Sequence, residues 1–189
     1  MTYYEGILVS SNKVLNASAA GAEVKEEELH LGIYRPSDTA RNLSIGSKFT
    51  FSLTTDLELF YMASLTGHDE PETAELSEED ILEKKGYSYP KKANKTYFCE
   101  VIDFEKKRGN DDYGEFILKK ITAKINYEEG EEEYITRNNP YLDSMVYASR
   151  IPVSKKKQSK KIKKKVNELL KNKNDDLAKR ITEYVKGGN

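Results

Sequence analysis

The chain has 189 residues, 33% of them charged and 37% hydrophobic, with a formal net charge of −1 at pH 7. That length bounds it to one domain, or one domain with a small appendage, large enough to bury a core. No apolar run approaches the ~20 residues a membrane-spanning helix needs.

The near-zero charge hides an asymmetry. Residues 1–150 hold 18 Lys and Arg against 28 Asp and Glu, whereas residues 151–189 hold 13 against 4. Such halves attract one another, or the basic tail serves as an arm toward an acidic partner. The start, Met-Thr-Tyr-Tyr-Glu, lacks the basic-then-apolar order of a signal peptide. The single cysteine, Cys99, excludes an internal disulfide and suits a reducing compartment, so a cytoplasmic protein is expected.

Tyr4 to Ser10 reads as a first strand, Ser11-Asn12-Lys13 as a turn, and Val14 to Val24 as a second strand. Within the second, Asn16-Ala-Ser-Ala-Ala-Gly-Ala22 is poor in bulk, which suits close backbone packing or room for a flat ligand. Lys25 to Glu28 is a charged connection. In Leu29 to Tyr34, Leu29, Leu31 and Ile33 alternate with His30, Gly32 and Tyr34, the period of a half-buried strand. Pro36 stops this strand because it has no N–H to donate. Ser37 and Thr39 are candidate caps for a short helix running toward Gly46. A helix opening there turns unpaired N–H groups outward beside Arg35 and two hydroxyls, an arrangement suited to a phosphate. Asp38 argues the other way, since a carboxylate satisfies the same donors and repels an anion.

Lys48 to Thr54 alternates as the fourth strand, and Asp56 to Leu65 is helical with Leu57, Phe60, Met62, Ala63 and Leu65 as its apolar set. The segment at about 66–92 reads as an acidic insertion, with Ser77 to Lys85 as a capped short helix ending at Gly86. His68-Asp69-Glu70 has no second histidine nearby and reads as a solvated loop, so no metal site is expected. Thr96 to Phe104 is the fifth strand, with Tyr97, Cys99, Val101 and Asp103 on one face. Cys99 is a small core residue on this reading, since no histidine or basic environment adjoins it in sequence. Lys106 to Tyr113 is a polar loop, Phe116 to Tyr127 a sixth strand, and Tyr134-Ile135-Thr136 a short edge strand.

Asn139 then caps a helix whose first position is Pro140, with Leu142, Met145, Val146 and Ser149 on one face. Lys155 to Lys165 holds eight lysines in eleven residues, within a helix striped by Ile162, Val166, Leu169 and Leu170. After Asn172 to Asn174, a last helix carries Leu177, Ile181, Tyr184 and Val185, and the two form an antiparallel hairpin. The expected organisation is a small antiparallel β-barrel over residues 1–136, interrupted by the acidic insertion, and a helical region over residues 137–189.

Three segments in this order and spacing, Asn16 to Gly21, Leu31-Gly-Ile-Tyr-Arg-Pro-Ser-Asp-Thr-Ala-Arg-Asn-Leu43 and Phe51 to Phe60, resemble the mainly archaeal split-barrel flavoproteins of the domain-of-unknown-function 447 (DUF447) family. Ile135 to Ile151 is similar to that family's second signature, with Tyr147 and Ser149 where His and Thr are commoner. The resemblance implies an FMN-binding split β-barrel, Greek-key-like and followed by helices, usually a homodimer with the flavin near the subunit interface. Carried over by position, it implies that Arg35, Ser37 and Thr39 hold the FMN phosphate and that Asn42 braces the turn. It also implies that Asn16, Ala17, Ser18 and Ala19 run along the isoalloxazine edge, and that Thr54, Thr55 and Asp56 reach the ring or ribityl chain.

The expected function is therefore that of an FMN flavoprotein of the flavin reductase-like oxidoreductase type, acting on a small-molecule substrate or electron donor. The cofactor would carry the electron chemistry. No His–carboxylate pair or Ser/His/Asp order marks an independent catalytic residue. Two alternatives stand beside it: a flavin-binding module without turnover, and a polyanion binder acting through Lys155 to Lys165. The lysine run lacks the interleaved aromatics and arginines of a nucleic-acid surface, which disfavours the second.

Overall fold

The computed structural model describes residues 2–11, 15–35, 37–66, 75–111, 114–154 and 156–187. Its strands are β1 (Thr2–Ser11), β2 (Leu15–Lys25), β3 (Glu28–Arg35), β4 (Lys48–Leu53), β5 (Ile81–Lys84), β6 (Tyr87–Pro90), β7 (Lys95–Asp111) and β8 (Gly114–Gly130). Six of them close an antiparallel barrel in the order β1-β2-β3-β8-β7-β4, with β4 returning to β1, while β5 and β6 form a separate hairpin. The helices are α1 (Asp38–Asn42), α2 (Leu57–Leu65), α3 (Pro140–Ala148), α4 (Lys156–Leu170) and α5 (Asp176–Gly187). None is long and apolar enough to cross a membrane.

Period-two alternation splits the core in two. One face of the strands fills the barrel with Leu8, Leu29, Leu31, Phe49, Phe51, Tyr97 and Ile121. The other face of β1 and β2 offers Ile7, Val9 and Ala17, which pack against Leu59 and Phe60 of α2, Leu142 and Met145 of α3, and the inner stripes of α4 and α5. Those stripes are Ile162, Val166 and Leu170, then Ala178, Ile181 and Val185. Lys156, Lys157, Lys160, Lys161 and Lys164 stand on the exposed side of α4. Between the two charge-asymmetric parts of the chain, Arg180 of α5 reaches back to Glu58 of α2.

Several sequence expectations need correction. Ser77 to Lys85 is not a helix: a single turn at Glu78–Asp80 leads into the β5–β6 hairpin. Lys85 and Gly86 both take positive φ, 51° and 77°, the geometry of a two-residue hairpin turn. Tyr87 then packs edge-on against Phe98 and Tyr127, a tertiary contact that outweighs the local helical composition. Nor are Lys106 to Asp111 of the expected Lys106–Tyr113 loop irregular; Tyr113 lies outside the described residues. β7 runs on to Asp111, paired with β8 from Gly114 onward, and its residues from Lys106 to Asp111 are polar or glycine on both faces, which erases the alternation that marks a strand. Tyr134 to Thr136 forms no strand; Tyr134 instead sits edge-on to Tyr4 at 4.9 Å. A register shift between Val101 and Asp103 leaves Asp103 exposed and brings Phe104 against the core. The first helix ends at Asn42, short of Gly46, which instead turns the chain into β4 at φ 80°. Pro36, Asn12 and Lys13 of the first turn, Val14 at the expected start of the second strand, His68-Asp69-Glu70 and Lys155 lie outside the described residues.

Candidate functional site

β2 and β3 part company early. Their ladder runs only from Lys25 and Glu28 to Ala22 and Leu31. Beyond it, residues 15–21 of β2 pair with β1 alone and residues 32–35 of β3 pair with β8 alone. The gap opens into a cavity of about 1150 Å³. Ala17, Ala19 and Gly21 form its low floor, with Gly32 and Tyr34 of β3 and Phe116 and Leu118 of β8 alongside. The start of α1, the end of α2 and the segment from Val146 to Gln158 complete the wall. Successive residues of an antiparallel strand point their N–H and C=O to alternate sides. The Ala17 N–H faces the gap, where Glu75 accepts it, so the backbone groups of Ala19 face the gap too.

The α1 end of the cavity is polar and closely bonded. Ser37 caps α1, its Oγ accepting from the Ala40 N–H at 3.1 Å, which leaves the Ser37 hydroxyl proton to donate elsewhere. Asn16 and Ser18, two apart on one face of β2, both meet Thr39: its Oγ1 donates to Asn16 Oδ1 at 2.7 Å and lies 3.0 Å from Ser18 Oγ. Glu75 takes the other side of Asn16, accepting from Asn16 Nδ2 and from the Ala17 N–H, both at 2.8 Å. The insertion thus delivers one carboxylate to the unpaired edge of β2. Arg150, at the end of α3, stacks 4.8 Å over the Tyr34 ring and donates to its hydroxyl.

Of the residues singled out in sequence, Asn16, Ala17, Ser18, Ala19, Ser37 and Thr39 line this cavity. Arg35, Asn42, Thr54, Thr55 and Asp56 are not among its lining residues. Arg35 shares the face of Leu31 and Ile33, opposite that of Tyr34, and is exposed near Lys119. Lys119 is itself buried; it donates to the Ala40 and Leu43 carbonyls that end α1, and burial, then Arg35 and Lys106, pull its pKa down. Asn42 reaches Ser10 Oγ at 3.4 Å. Thr54 donates to the Lys92 carbonyl, Thr55 N–H donates to Asn94, and Asp56 caps α2, so this trio joins β4 to α2.

The far end of the cavity holds a cluster that sequence reasoning missed. Glu5 is 7% exposed, with Tyr3 Oη donating to its Oε1 at 3.4 Å and Arg137 Nε 3.7 Å away. Arg137 is bound more closely by Asp143, at 2.9 and 3.0 Å. Burial pushes the Glu5 carboxyl pKa up, with Arg137 and Tyr3 opposing and Asp143 assisting. The Tyr3 hydroxyl is pushed up to about 12, first by burial and then by Glu5. The available signal was Glu5 itself, a carboxylate in the otherwise apolar run Tyr4 to Val9. Glu75 carried no such mark, being one acid among many in the insertion. Arg137 and Arg150 both fall inside the Ile135–Ile151 segment but carried no local pattern. Around the cavity seven carboxylates face four Lys and Arg, and of those cations Arg41 is paired with Asp38 while Arg150 lies over the Tyr34 ring.

The fold and a domain model place this architecture among known proteins. An FMN-bound protein of the DUF447 family from Methanosarcina mazei superposes with a TM-score of 0.67 at 14% identity, covering 99% of this chain and 95% of its own. Component B of a nitrilotriacetate monooxygenase from Bacillus cereus (TM-score 0.56, 14% identity) covers 70% of this chain and 71% of its own. A flavoredoxin from Methanosarcina acetivorans (0.52, 13%) covers 71% and 72%. At such identities the likeness is one of fold, the split barrel. No curated protein matches the chain. The family model described as "Protein of unknown function (DUF447) N-terminal domain" matches residues 4–126, well over half the chain, and the chain belongs to that family.

Proposed function

We propose that the chain is an FMN-binding flavoprotein, of the flavin reductase-like oxidoreductase type, with FMN seated in the cleft between β2 and β3. The observation that carries this is the unpaired edge of β2 above a floor of Ala17, Ala19 and Gly21, enclosed within one large cavity. A flat heteroaromatic ring fits over residues with no side chain beyond a methyl group, and its amide-like edge can pair with the outward backbone groups of Ala19. Asn16 and Ala17 are held by Glu75 and orient Thr39 and Ser18 toward the polar chain of the ligand. The phosphate lies at the turn into α1, with Ser37 donating its hydroxyl and Arg41 and Arg150 supplying charge. Asn42 braces the turn through Ser10. Bound FMN supplies hydride and electron transfer, and the protein supplies position, polarity and exclusion of water.

A homodimer in the cytoplasm completes this reading. Hydrogen bonds from Gly46 N–H to the Val101 carbonyl and from Val101 N–H to the Ser47 carbonyl join the backbone segments that carry Ile45 and Ile102, both exposed. Such a patch suits a second copy, and Ile45→Asp with Ile102→Asp should shift the mass in solution to that of a monomer. Mass unchanged between wild type and variant would remove this surface from the dimer.

The direct test of FMN is the absorption spectrum of freshly purified protein, with mass spectrometry of whatever heat releases. A colourless protein that takes up no added FMN overturns the reading. The phosphate subsite has its own test. Arg150→Ala should weaken FMN about tenfold, roughly 1.4 kcal/mol, while leaving riboflavin nearly unchanged. Arg35→Ala, on the opposite face of β3, is the comparison: if it carries the selective loss instead, the phosphate belongs to Arg35.

A further inference from the structure

Glu5 is a misfit in structural terms. A carboxylate 93% removed from solvent requires a close counter-charge or full hydrogen bonding, and among the described residues Glu5 has only long contacts of each kind. Its cation, Arg137, stands 3.7 Å away and is shared with Asp143, which binds it at 2.9 Å. Among the described residues its side-chain hydrogen-bond donor is Tyr3, at 3.4 Å. Tyr3 on β1, Arg137 after β8 and Asp143 on α3 are the titratable and charged groups that face it, and across the β1–β2 ladder its partner is Gly21. Barrel strands tolerate such a residue where it has a use.

Position within the cavity suggests the use. The phosphate turn lies beside Asn16 and Ser18, and four residues of strand separate Ala17 from Gly21, about 13 Å. A ligand anchored by phosphate at α1 and extended along β2 therefore ends at Gly21 and Glu5. Tyr3 roofs that end: a Cβ built on Gly21 would lie 1.8 Å from the Tyr3 hydroxyl oxygen. Tyr3 is also 56% exposed, so the Tyr3–Glu5 contact joins the cavity wall to solvent.

We propose that Glu5, linked to water through Tyr3, is the proton-exchanging group of this cavity, giving a proton to and taking it back from the ring end of the bound heteroaromatic ligand. The O–H bond of the Glu5 carboxyl breaks, and the proton passes to a carbonyl oxygen or ring nitrogen of the ligand. The carboxylate left behind is held by Arg137 and Tyr3, then regains a proton from water by way of the Tyr3 hydroxyl. The ligand atom accepts the proton when its ring edge carries negative charge; water is the proton source, its hydroxide passes to solvent, and on the return the same path runs in reverse. Burial, which favours the neutral carboxyl, keeps Glu5 loaded further toward neutral pH than an ordinary glutamate.

The inference rests on the FMN reading, and one experiment separates the two. Glutamate carboxyls labelled with carbon-13 are titrated by NMR in the wild-type protein, without and then with FMN, and Glu5→Gln identifies the Glu5 signal. Glu5 should titrate above the other glutamates, and FMN should raise its midpoint by about half a unit, which corresponds to a roughly threefold weakening of FMN as pH rises through the transition. Glu5→Gln should bind FMN without that pH dependence. Bound FMN that leaves the Glu5 midpoint unmoved, or a Glu5→Gln variant with the wild-type pH profile, overturns the proposal alone. Absence of FMN binding in the wild type overturns the functional reading and the proposal with it. Should Glu5→Gln fail to fold, Glu5→Asp supplies the assignment.

Discussion

Asp56 caps α2 with one carboxylate oxygen, bonding the amides of Glu58 at 2.9 Å and Leu59 at 3.3 Å, and meets Lys92 at 3.1 Å with the other. Burial alone would raise its pKa, but the Lys92 contact and the two amides outweigh it and hold the carboxyl below the usual range. A depressed carboxyl stabilises the fold above its unfolded pKa, and the contribution is lost as pH falls through the folded value. Asp56→Ala should therefore lower stability by about 1 kcal/mol at pH 7, and the deficit should vanish in acid denaturant titrations. Asp56→Asn keeps the cap and should lose less. Glu5 has the opposite sign. Its raised pKa means the folded state holds a proton the unfolded chain has released, so stability falls as pH rises from the ordinary glutamate range through the folded value. Glu5→Gln should raise the melting temperature at neutral pH, with the gain shrinking toward pH 4. A uniform gain at all pH values would mean that charge burial is not the cause.

Two glycines of paired strands separate folding from binding at the level of the element. A Cβ on Gly6 of β1 would lie 2.6 Å from the Ser52 carbonyl oxygen and 2.7 Å from the Phe51 ring, with backbone on one side and the packed core on the other. Neither can retreat, so Gly6→Ala should cost about 3 kcal/mol or more in denaturant unfolding. A Cβ on Gly21 of β2 meets the end of the exposed Tyr3 side chain, which can swing away. Gly21→Ala should leave the melting temperature within a few degrees yet weaken FMN about tenfold, because the methyl group stands on the cavity floor. Equal behaviour of the two variants in both assays would contradict the cleft between β2 and β3 as the binding surface.

At the scale of the whole molecule, the barrel and the C-terminal helices share one apolar cluster. Ile7 and Val9 of β1 and Ala17 of β2 belong to it together with Ile162 and Val166 of α4 and Ile181 of α5. The helical segment also supplies Arg137, Val146 and Arg150 to the cavity wall. Loss of packing in α4 should therefore be felt throughout. Val166→Ala should destabilise by about 2 kcal/mol and shift the unfolding of barrel and helices together in one transition, followed by near-ultraviolet and far-ultraviolet circular dichroism. Separate transitions would show the helices to be an independent unit. The outward lysines of α4 make no part of this cluster, so raised salt should leave that transition nearly unmoved.

Local pattern was enough wherever one side of an element faces water. Leu29, Leu31 and Ile33 named the β3 period, Ser37 and Thr39 were the two candidate caps of α1 of which Ser37 is the one used, Asn139-Pro140 named the start of α3, and Ile162 and Val166 fell in the buried stripe of α4. Each of those signals is written within a few residues of chain. β5 and β6 were hidden because their stability comes from Tyr87 on Phe98 and Tyr127, residues distant in sequence, and the outer half of β7 was hidden because its residues from Lys106 on are polar or glycine on both faces. The candidate site divides the same way. Small residues in β2 and hydroxyls before α1 were visible as composition. That Arg35 is exposed and outside the cavity lining came only from the structure. That Glu75, Glu5, Arg137 and Arg150 converge on the gap could come only from tertiary structure, since Glu5 alone is marked locally, by its apolar strand, and nothing local distinguishes the other three from their neighbours. By itself the sequence determined the periods, the caps and the small-residue strand; where β2 and β3 separate, and which charges meet across the opening, was decided by closure of the barrel, because strand pairing and burial are properties of distant segments brought together.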